Sequence, residues 1–200
     1  NNNNHTGGIA LFNNSGSSTY NTYTKILNNK IYANSNQGIW VFESKYVLIK
    51  GNESYLNGAT GIQIETGSWY VILDGNTLHD NCVNFEHEGG SWIDETRYYS
   101  VKNNISYDNC QGFATSQSWW GSTHHNISYN NKAQQQPLNK PASRFAYLSD
   151  GMNHNFPESP SGAQFNRFAQ NISYIDGDTT TAQGGFILIS NHGAVISNNK

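Results

Sequence analysis

The stretch Asn29-Lys30-Ile31-Tyr32-Ala33-Asn34 carries a spacing, Asn-x-x-aromatic-x-Asn, that decides the fold because it returns. It recurs as Asn52…Tyr55…Asn57, Asn76…His79…Asn81, Asn104…Tyr107…Asn109 and Asn126…Tyr129…Asn131. A sixth copy, Asn171…Tyr174…Asp176, ends in Asp. Successive first asparagines stand 23, 24, 28, 22 and 45 residues apart. A period in the twenties with one residue type at a fixed place is the signature of a solenoid, whose repeats pack only on their neighbours. Stacked amide side chains at that period can hydrogen-bond to the copies above and below them.

Working outward from the asparagines, a glycine often opens an alternating apolar run. Asn34 leads to Gly38-Ile39-Trp40-Val41-Phe42, Asn57 to Gly61-Ile62-Gln63-Ile64-Glu65, and Asn4 to Gly8-Ile9-Ala10-Leu11-Phe12. With one residue deleted, Asn81 leads to Asn84-Phe85-Glu86-His87-Glu88 and Asn109 to Gly112-Phe113-Ala114-Thr115-Ser116. Period-two alternation is the pattern of a half-buried strand. The expected inward columns are Ile9, Ile39, Ile62, Phe85, Phe113 and Leu11, Val41, Ile64, His87, Thr115. The outward ones are Ala10, Trp40, Gln63, Glu86, Ala114 and Phe12, Phe42, Glu65, Glu88, Ser116. Each coil then adds a strand such as Val47-Leu48-Ile49, Val71-Ile72-Leu73 or Tyr99-Ser100-Val101. Short strands joined by Gly/Asn corners, without helical periodicity, predict an all-β parallel β-helix of about 7–8 coils with an Asn/Tyr ladder.

The pattern Gly-Ile-x-Val…Val-x-Ile-x-Gly-Asn-x-x-x-x-Asn resembles the right-handed parallel β-helix repeat of the pectate-lyase-like superfamily. The resemblance covers about residues 4 to 131 and resumes near 171. It implies a right-handed solenoid and leaves the activity open, because this fold hosts lyases, hydrolases, epimerases, tailspikes and adhesins. Residues 1–200 read as a single β-helix domain. All four prolines fall in 132–168 (Pro137, Pro141, Pro157, Pro160), and proline cannot donate to a central ladder. That segment is expected to be an irregular coil or a lateral insertion, which either shapes a cleft or is solvated. The closing Asn198-Asn199-Lys200 repeats Asn28-Asn29-Lys30, so the chain is expected to be a piece of a longer one.

Only 12% of residues are charged, yet 13% are aromatic, and with the strict period this argues against disorder. A net charge of −3 offers no footprint for nucleic acid. No stretch approaches the roughly 20 apolar residues of a membrane span. Neighbouring coils lie about 4.8 Å apart and same-face residues about 6.6 Å, so Glu65, Glu86 and Glu88 are expected to cluster on one outer face. Carboxylates that close cannot all stay ionised cheaply, so at least one is expected to titrate high. A carboxylate pair at roughly 5 to 5.5 Å suits a retaining glycosidase. The arrangement is similar to β-helical glycoside hydrolases of the β-xylosidase type, which place a nucleophilic Asp and an acid/base Glu at equivalent points of consecutive coils. That resemblance implies Glu65 as nucleophile, a Glu where the family has Asp, and Glu88 as acid/base. The bland reading is an acidic, solvated face.

Trp40, Gln63, Trp92, Trp119 and Trp120 are the expected glycan contacts, since aromatic rings stack on sugar faces; the same rings also suit corners and edges. Glu86-His87-Glu88 with Asp94, Glu95, His124 and His125 lacks any recognised metal-ligand spacing. No cofactor is therefore assigned, and Ca²⁺ is the first choice for an oxygen-rich cluster. Cys82 and Cys110 each follow a second-column asparagine, so they are expected to stack one coil apart, as a disulfide or as thiols. The Asn-x-Ser/Thr triplets at Asn52, Asn104, Asn126 and Asn171 occupy interior positions and are not read as glycosylation sites. The leading functional expectation is a secreted, extracytoplasmic protein that binds or cleaves polysaccharide along a sheet face. A structural fibre, adhesin or filament subunit stacking end to end, and a calcium-dependent polysaccharide lyase, are the alternatives.

Overall fold

The computed structural model describes residues 7–13, 20–84, 89–131, 144–150, 163–164, 166–174, 183–189, 191–192 and 194–200. All elements among these residues are β-strands, and each pairs in parallel with its counterpart one coil away. A coil passes through three sheets. In one of them Lys30–Tyr32 lies in sheet III, Ile39–Phe42 in sheet I and Ser44–Lys50 in sheet II. Sheet I has seven strands, sheet II eight and sheet III six. Five coil-to-coil steps relate the strands of sheet III, so the regular solenoid makes about five turns, slightly fewer than the seven to eight read from the repeat.

The asparagines stand in two buried columns flanking sheet III. Asn29, Asn52, Asn76, Asn104, Asn126 and Asn171 each donate from Nδ2 to the Oδ1 of the next, ending at Asn199, at 2.9–3.0 Å. The same Oδ1 accepts the backbone N–H of the preceding asparagine, as in Asn52 N to Asn76 Oδ1 at 2.9 Å. Nδ2 also reaches a backbone carbonyl, as in Asn76 to Ile49 O at 3.0 Å. Asn34, Asn57, Asn81, Asn109 and Asn131 form the second column with bonds of 2.8–3.4 Å. These side chains satisfy corner amides that a β-ladder leaves unpaired, which is why a polar residue sits at full burial there. Asn52, Asn104, Asn126 and Asn171 are inside. The residue before each column asparagine has a left-handed backbone, at Gly51 and Gly75 (φ 66° and 64°) and at Ala33, Leu56 and Asp80 (φ 55°, 52° and 52°). A side chain in that region adds strain, and the asparagine bonds hold the corner against it.

Between the columns, Tyr32, Tyr55, His79, Tyr107 and Tyr129 stack with ring centroids 4.8–5.1 Å apart. His79 takes a tyrosine's place in the stack. Cys82 and Cys110 are buried thiols, not a disulfide, and the Cys110 N–H points at Cys82 Sγ at 3.2 Å.

The apolar core runs along the axis as Ile39, Ile62 and Phe113 with Val41, Ile64 and Ile93 from sheet I, and Val47, Val71, Ile49, Leu73 and Val101 from sheet II. Here the structure corrects the alignment of one coil. The strand paired with Ile62–Glu65 and Phe113–Ser116 is Ser91–Asp94, not the run starting at Phe85. Ser91 therefore holds the place expected for Phe85, and Ile93 that expected for His87. The physical marker is the glycine ahead of the strand. Ile62 donates to Gly90 O, and a Cβ on Gly90 would collide with Ser106 Oγ and the Gly112 carbonyl. Only glycine fits that crowded corner, so Gly90 sets the register and the extra residues are accommodated before it. Residues 85–88, including Glu86 and Glu88, lie outside the described residues.

Within the proline-bearing segment, Arg144–Asp150 continues sheet I and Arg167–Ala169 continues sheet II, with Tyr147 over Phe113 and Phe168 over Thr123. The rhythm is thus stretched into an enlarged coil that keeps both strands. The intervening residues 132–143 and 151–162 lie outside the described residues.

Candidate functional site

The outer margin of sheet I gathers the chemistry. Where its strands end, Phe42 pairs with Glu65, and Asp94 with Ser116 and Ser116 with Asp150; the pairing of Ile64 with Ile93 sets Glu65 and Asp94, the next residue of each strand, side by side. Glu65 and Asp94 are thus consecutive, which puts their backbones about 4.8 Å apart. Both side chains are half-buried. The strand ends are fixed by hydroxyls just past the corner. Ser68 Oγ donates to Glu65 O at 2.7 Å, Thr96 Oγ1 to Asp94 O at 2.8 Å and Ser118 Oγ to Ser116 O at 2.8 Å. Ser118 Oγ also accepts the Thr96 N–H at 3.1 Å. Left-handed residues at Glu43, Glu95 and Gln117 (φ 45°, 46° and 44°) then swing the chain into sheet II.

Glu65 is held at both oxygens. Trp40 Nε1 donates to Oε2 at 2.6 Å, Gln63 Nε2 donates to Oε1, and Gln37 Nε2 in turn donates to Gln63 Oε1 at 2.7 Å. Trp40 and Gln63 are buried, so the carboxylate is aimed by a fixed frame rather than by a mobile side chain. Hydrogen bonds to a carboxylate are stronger than those to a neutral acceptor and fix its orientation. Trp92 occupies the same outward column as Gln63, one coil on, and is half-buried. Phe12 packs edge-on to Trp40 at 4.7 Å.

Of the residues singled out from sequence, the fold thus brings Trp40, Gln63, Glu65 and Trp92 together. Trp119 and Trp120 are elsewhere, past the corner on sheet II. Trp119 is buried under Arg97, whose guanidinium lies 5.1 Å from its ring and 5.5 Å from that of Trp69. Lys45 lies over Trp69 at 4.3 Å and Tyr20 at 3.6 Å, so cations and aromatics alternate up the solenoid. Trp120 is exposed and is the last described ring of a second stack, Tyr23, Tyr46, Tyr70, Tyr98, Trp120, at 4.9–5.1 Å. Rings within that stack turn their faces to one another and only their edges to solvent, which leaves little face for a sugar. Among the described residues no three His, Cys, Asp or Glu side chains converge as a metal site.

Asp94 is the site residue the alignment misplaced. Its signal was Gly90-Ser91-Trp92-Ile93-Asp94, a glycine followed by alternation like Gly61-Ile62-Gln63-Ile64-Glu65.

The chain belongs to the right-handed β-helix family: the family's model, described as a right handed beta helix region, matches residues 7–200. No curated protein matches it. Among solved structures it is similar to the A-module of mannuronan C-5 epimerase AlgE4 from Azotobacter vinelandii, with TM-score 0.67, 16% identity, and coverage of 97% of this chain and 52% of that one. The AlgE6 A-module of the same organism gives 0.68 at 14% identity, covering 97% and 54%. Pectate lyase Pel9A gives 0.40 at 15%, covering 81% and 52%. The chain spans about half the length of these structures. At such identities the likeness is one of fold. No helix among the described residues is long and apolar enough to cross a membrane.

Proposed function

We propose that this protein is an extracellular carbohydrate-active β-helix that binds polysaccharide across the outer margin of sheet I and cleaves it as a retaining glycoside hydrolase. The observation that carries the reading is the register that pairs Ile64 with Ile93 and so sets the residues that follow them, Glu65 and Asp94, side by side in consecutive coils. A spacing of about 4.8 Å between backbones allows carboxyl groups near the roughly 5 to 5.5 Å of a retaining pair. Glu65, with both oxygens accepting hydrogen bonds, suits the nucleophile that attacks the anomeric carbon. Asp94 then serves as the acid that protonates the leaving oxygen, and as the base that later activates water. Half-buried Trp92 beside them supplies an apolar wall for a sugar ring. The place of Asp94 beside Glu65 makes Asp94, ahead of Glu88, the preferred partner.

The test is a screen of the full-length protein against a panel of neutral and acidic polysaccharides, followed by Glu65→Gln and Asp94→Asn on whichever is cut. Each variant is expected to lose roughly a thousandfold in kcat/KM while remaining folded. Turnover unchanged in both would overturn the assignment, and products bearing a new double bond would make the protein a lyase instead.

A further inference from the structure

We propose that the concavity on the outer face of sheet II, bounded by Ser122, His124, His125, Arg167, Ala169 and Gln170, is a binding site for an oxyanion, such as a carboxylate or a sulfate group. It has a volume of about 270 Å³ and lies on a different sheet from Glu65 and Asp94.

The site follows from the register. On this face Ile72, Ser100, Ser122 and Arg167 stack in one column, and Asp74, Lys102, His124 and Ala169 in the next. Side chains at Ser122 and Ala169 are short, whereas those around them are long. The hollow is therefore the space a larger pair would have filled. Its rim is cationic: Lys102 is one coil below His124, and Arg167 is one coil above Ser122. Among the described residues neither Lys102 nor Arg167 forms an ion pair with a carboxylate. Asp74, the acid that acts on His124, is engaged by Lys50 at 3.1 Å and by Asn103 Nδ2 at 2.9 Å.

Two imidazoles complete the rim. His124 Nδ1 and His125 Nδ1 lie 2.8 Å apart, one donating to the other. His125 and Gln170 are the left-handed corner residues of consecutive coils (φ 55° and 54°), and both line the hollow. Burial first, then His125, Lys102 and Arg167, hold the His124 imidazole below its ordinary value, against a weaker pull upward from Asp74. An anion seated among these groups would oppose the downward pull of Lys102 and Arg167 and favour the protonated His124 ring. A bound cation would face Arg167 and Lys102, and Asp74, the acid that acts on His124, is already engaged by Lys50 and Asn103, so the electrostatics favour an anion.

Affinity should consequently rise as pH falls through the His124 titration. The experiment follows the His124 and His125 imidazole resonances by NMR across pH at constant ionic strength, with sulfate, galacturonate, galactose or chloride added. Sulfate or galacturonate should move the His124 midpoint upward, and galactose and chloride should not. Arg167→Gln should weaken binding roughly tenfold, the usual scale for one charge-assisted contact. Ser122→Leu, which fills the hollow without removing a charge, should do the same. A response to galacturonate stronger than to sulfate identifies a glycan carboxylate as the natural group, and the reverse identifies a free or esterified sulfate. Equal shifts with chloride, or undiminished binding in Arg167→Gln and Ser122→Leu, would overturn the site. Asp94→Asn should leave this binding intact, so the site and the glycosidase reading fail separately.

Discussion

The two sides of the solenoid follow different rules. On the sheet III side the coils between Asn29 and Asn131 repeat one solution: an asparagine at each corner, an aromatic ring between them, and a left-handed residue before each asparagine. On the side where sheet I meets sheet II, the corresponding positions change from coil to coil. Phe42, Glu65, Asp94, Ser116 and Asp150 share one column, and Lys45, Trp69, Arg97 and Trp119 another. Repetition marks positions where backbone amides must be satisfied, and a single residue type does that best. Variation marks positions where the backbone is already satisfied and side chains are available for chemistry.

This contrast predicts a graded series of stability changes, read by chemical denaturation. Asn76→Ala should have the largest effect, about 3 kcal/mol. It strips the Asn52 N–H and Ile49 O of partners and interrupts a buried column. Gly121→Ala should follow at about 2 kcal/mol, because its Cβ would fall within the Tyr99 ring. Tyr99 fills the interior where sheet II has Val71 one coil earlier, and burial pushes its phenol pKa up. Tyr99→Val should therefore relieve much of the Gly121→Ala penalty, and additive penalties would refute that packing. Ser118→Ala should cost about 1 kcal/mol, since the Thr96 N–H loses its acceptor at a corner otherwise held by backbone bonds. A Ser118 effect equal to that of Asn76 would erase the distinction between the two sides.

The smallest effect is on the exposed margin of sheet II. The Asn103 amide first, then Lys50, hold Asp74 below the ordinary carboxyl value of 3.8. A lowered pKa contributes stability above the unfolded value and loses it as pH falls through the folded one. Asp74→Asn should therefore destabilise by only a few tenths of a kcal/mol near neutrality, about the size of a surface pair. It should match the parent well below pH 3.8.

The same contrast explains what the sequence made legible. The asparagine spacing located sheet III and both amide columns because the physical demand there is identical in every coil. It also placed Cys82 and Cys110 one coil apart, and put Trp40, Gln63 and Glu65 on one outer face. The strand at Ser91–Asp94 was not reached by counting from Asn81, because the extra residues of that coil enter between the asparagine and the strand. Gly90 was the better marker, since crowding by Ser106 and Gly112 admits no side chain. The enlarged coil was hidden for a related reason: prolines advertise an interruption and say nothing of strands on either side. Trp119 and Trp120 read as sugar platforms in a linear sequence. Only the register shows one buried against Arg97 and the other stacked on Tyr98.

The central claim is that Glu65 and Asp94 are neighbours, and a double-mutant cycle of Glu65→Gln and Asp94→Asn on folding stability tests it without knowledge of the substrate. Two adjacent carboxylates should give a coupling of at least about 0.5 kcal/mol, each substitution relieving repulsion that the other has already relieved. Additivity within about 0.3 kcal/mol would mean that the two side chains do not meet, and would contradict the site.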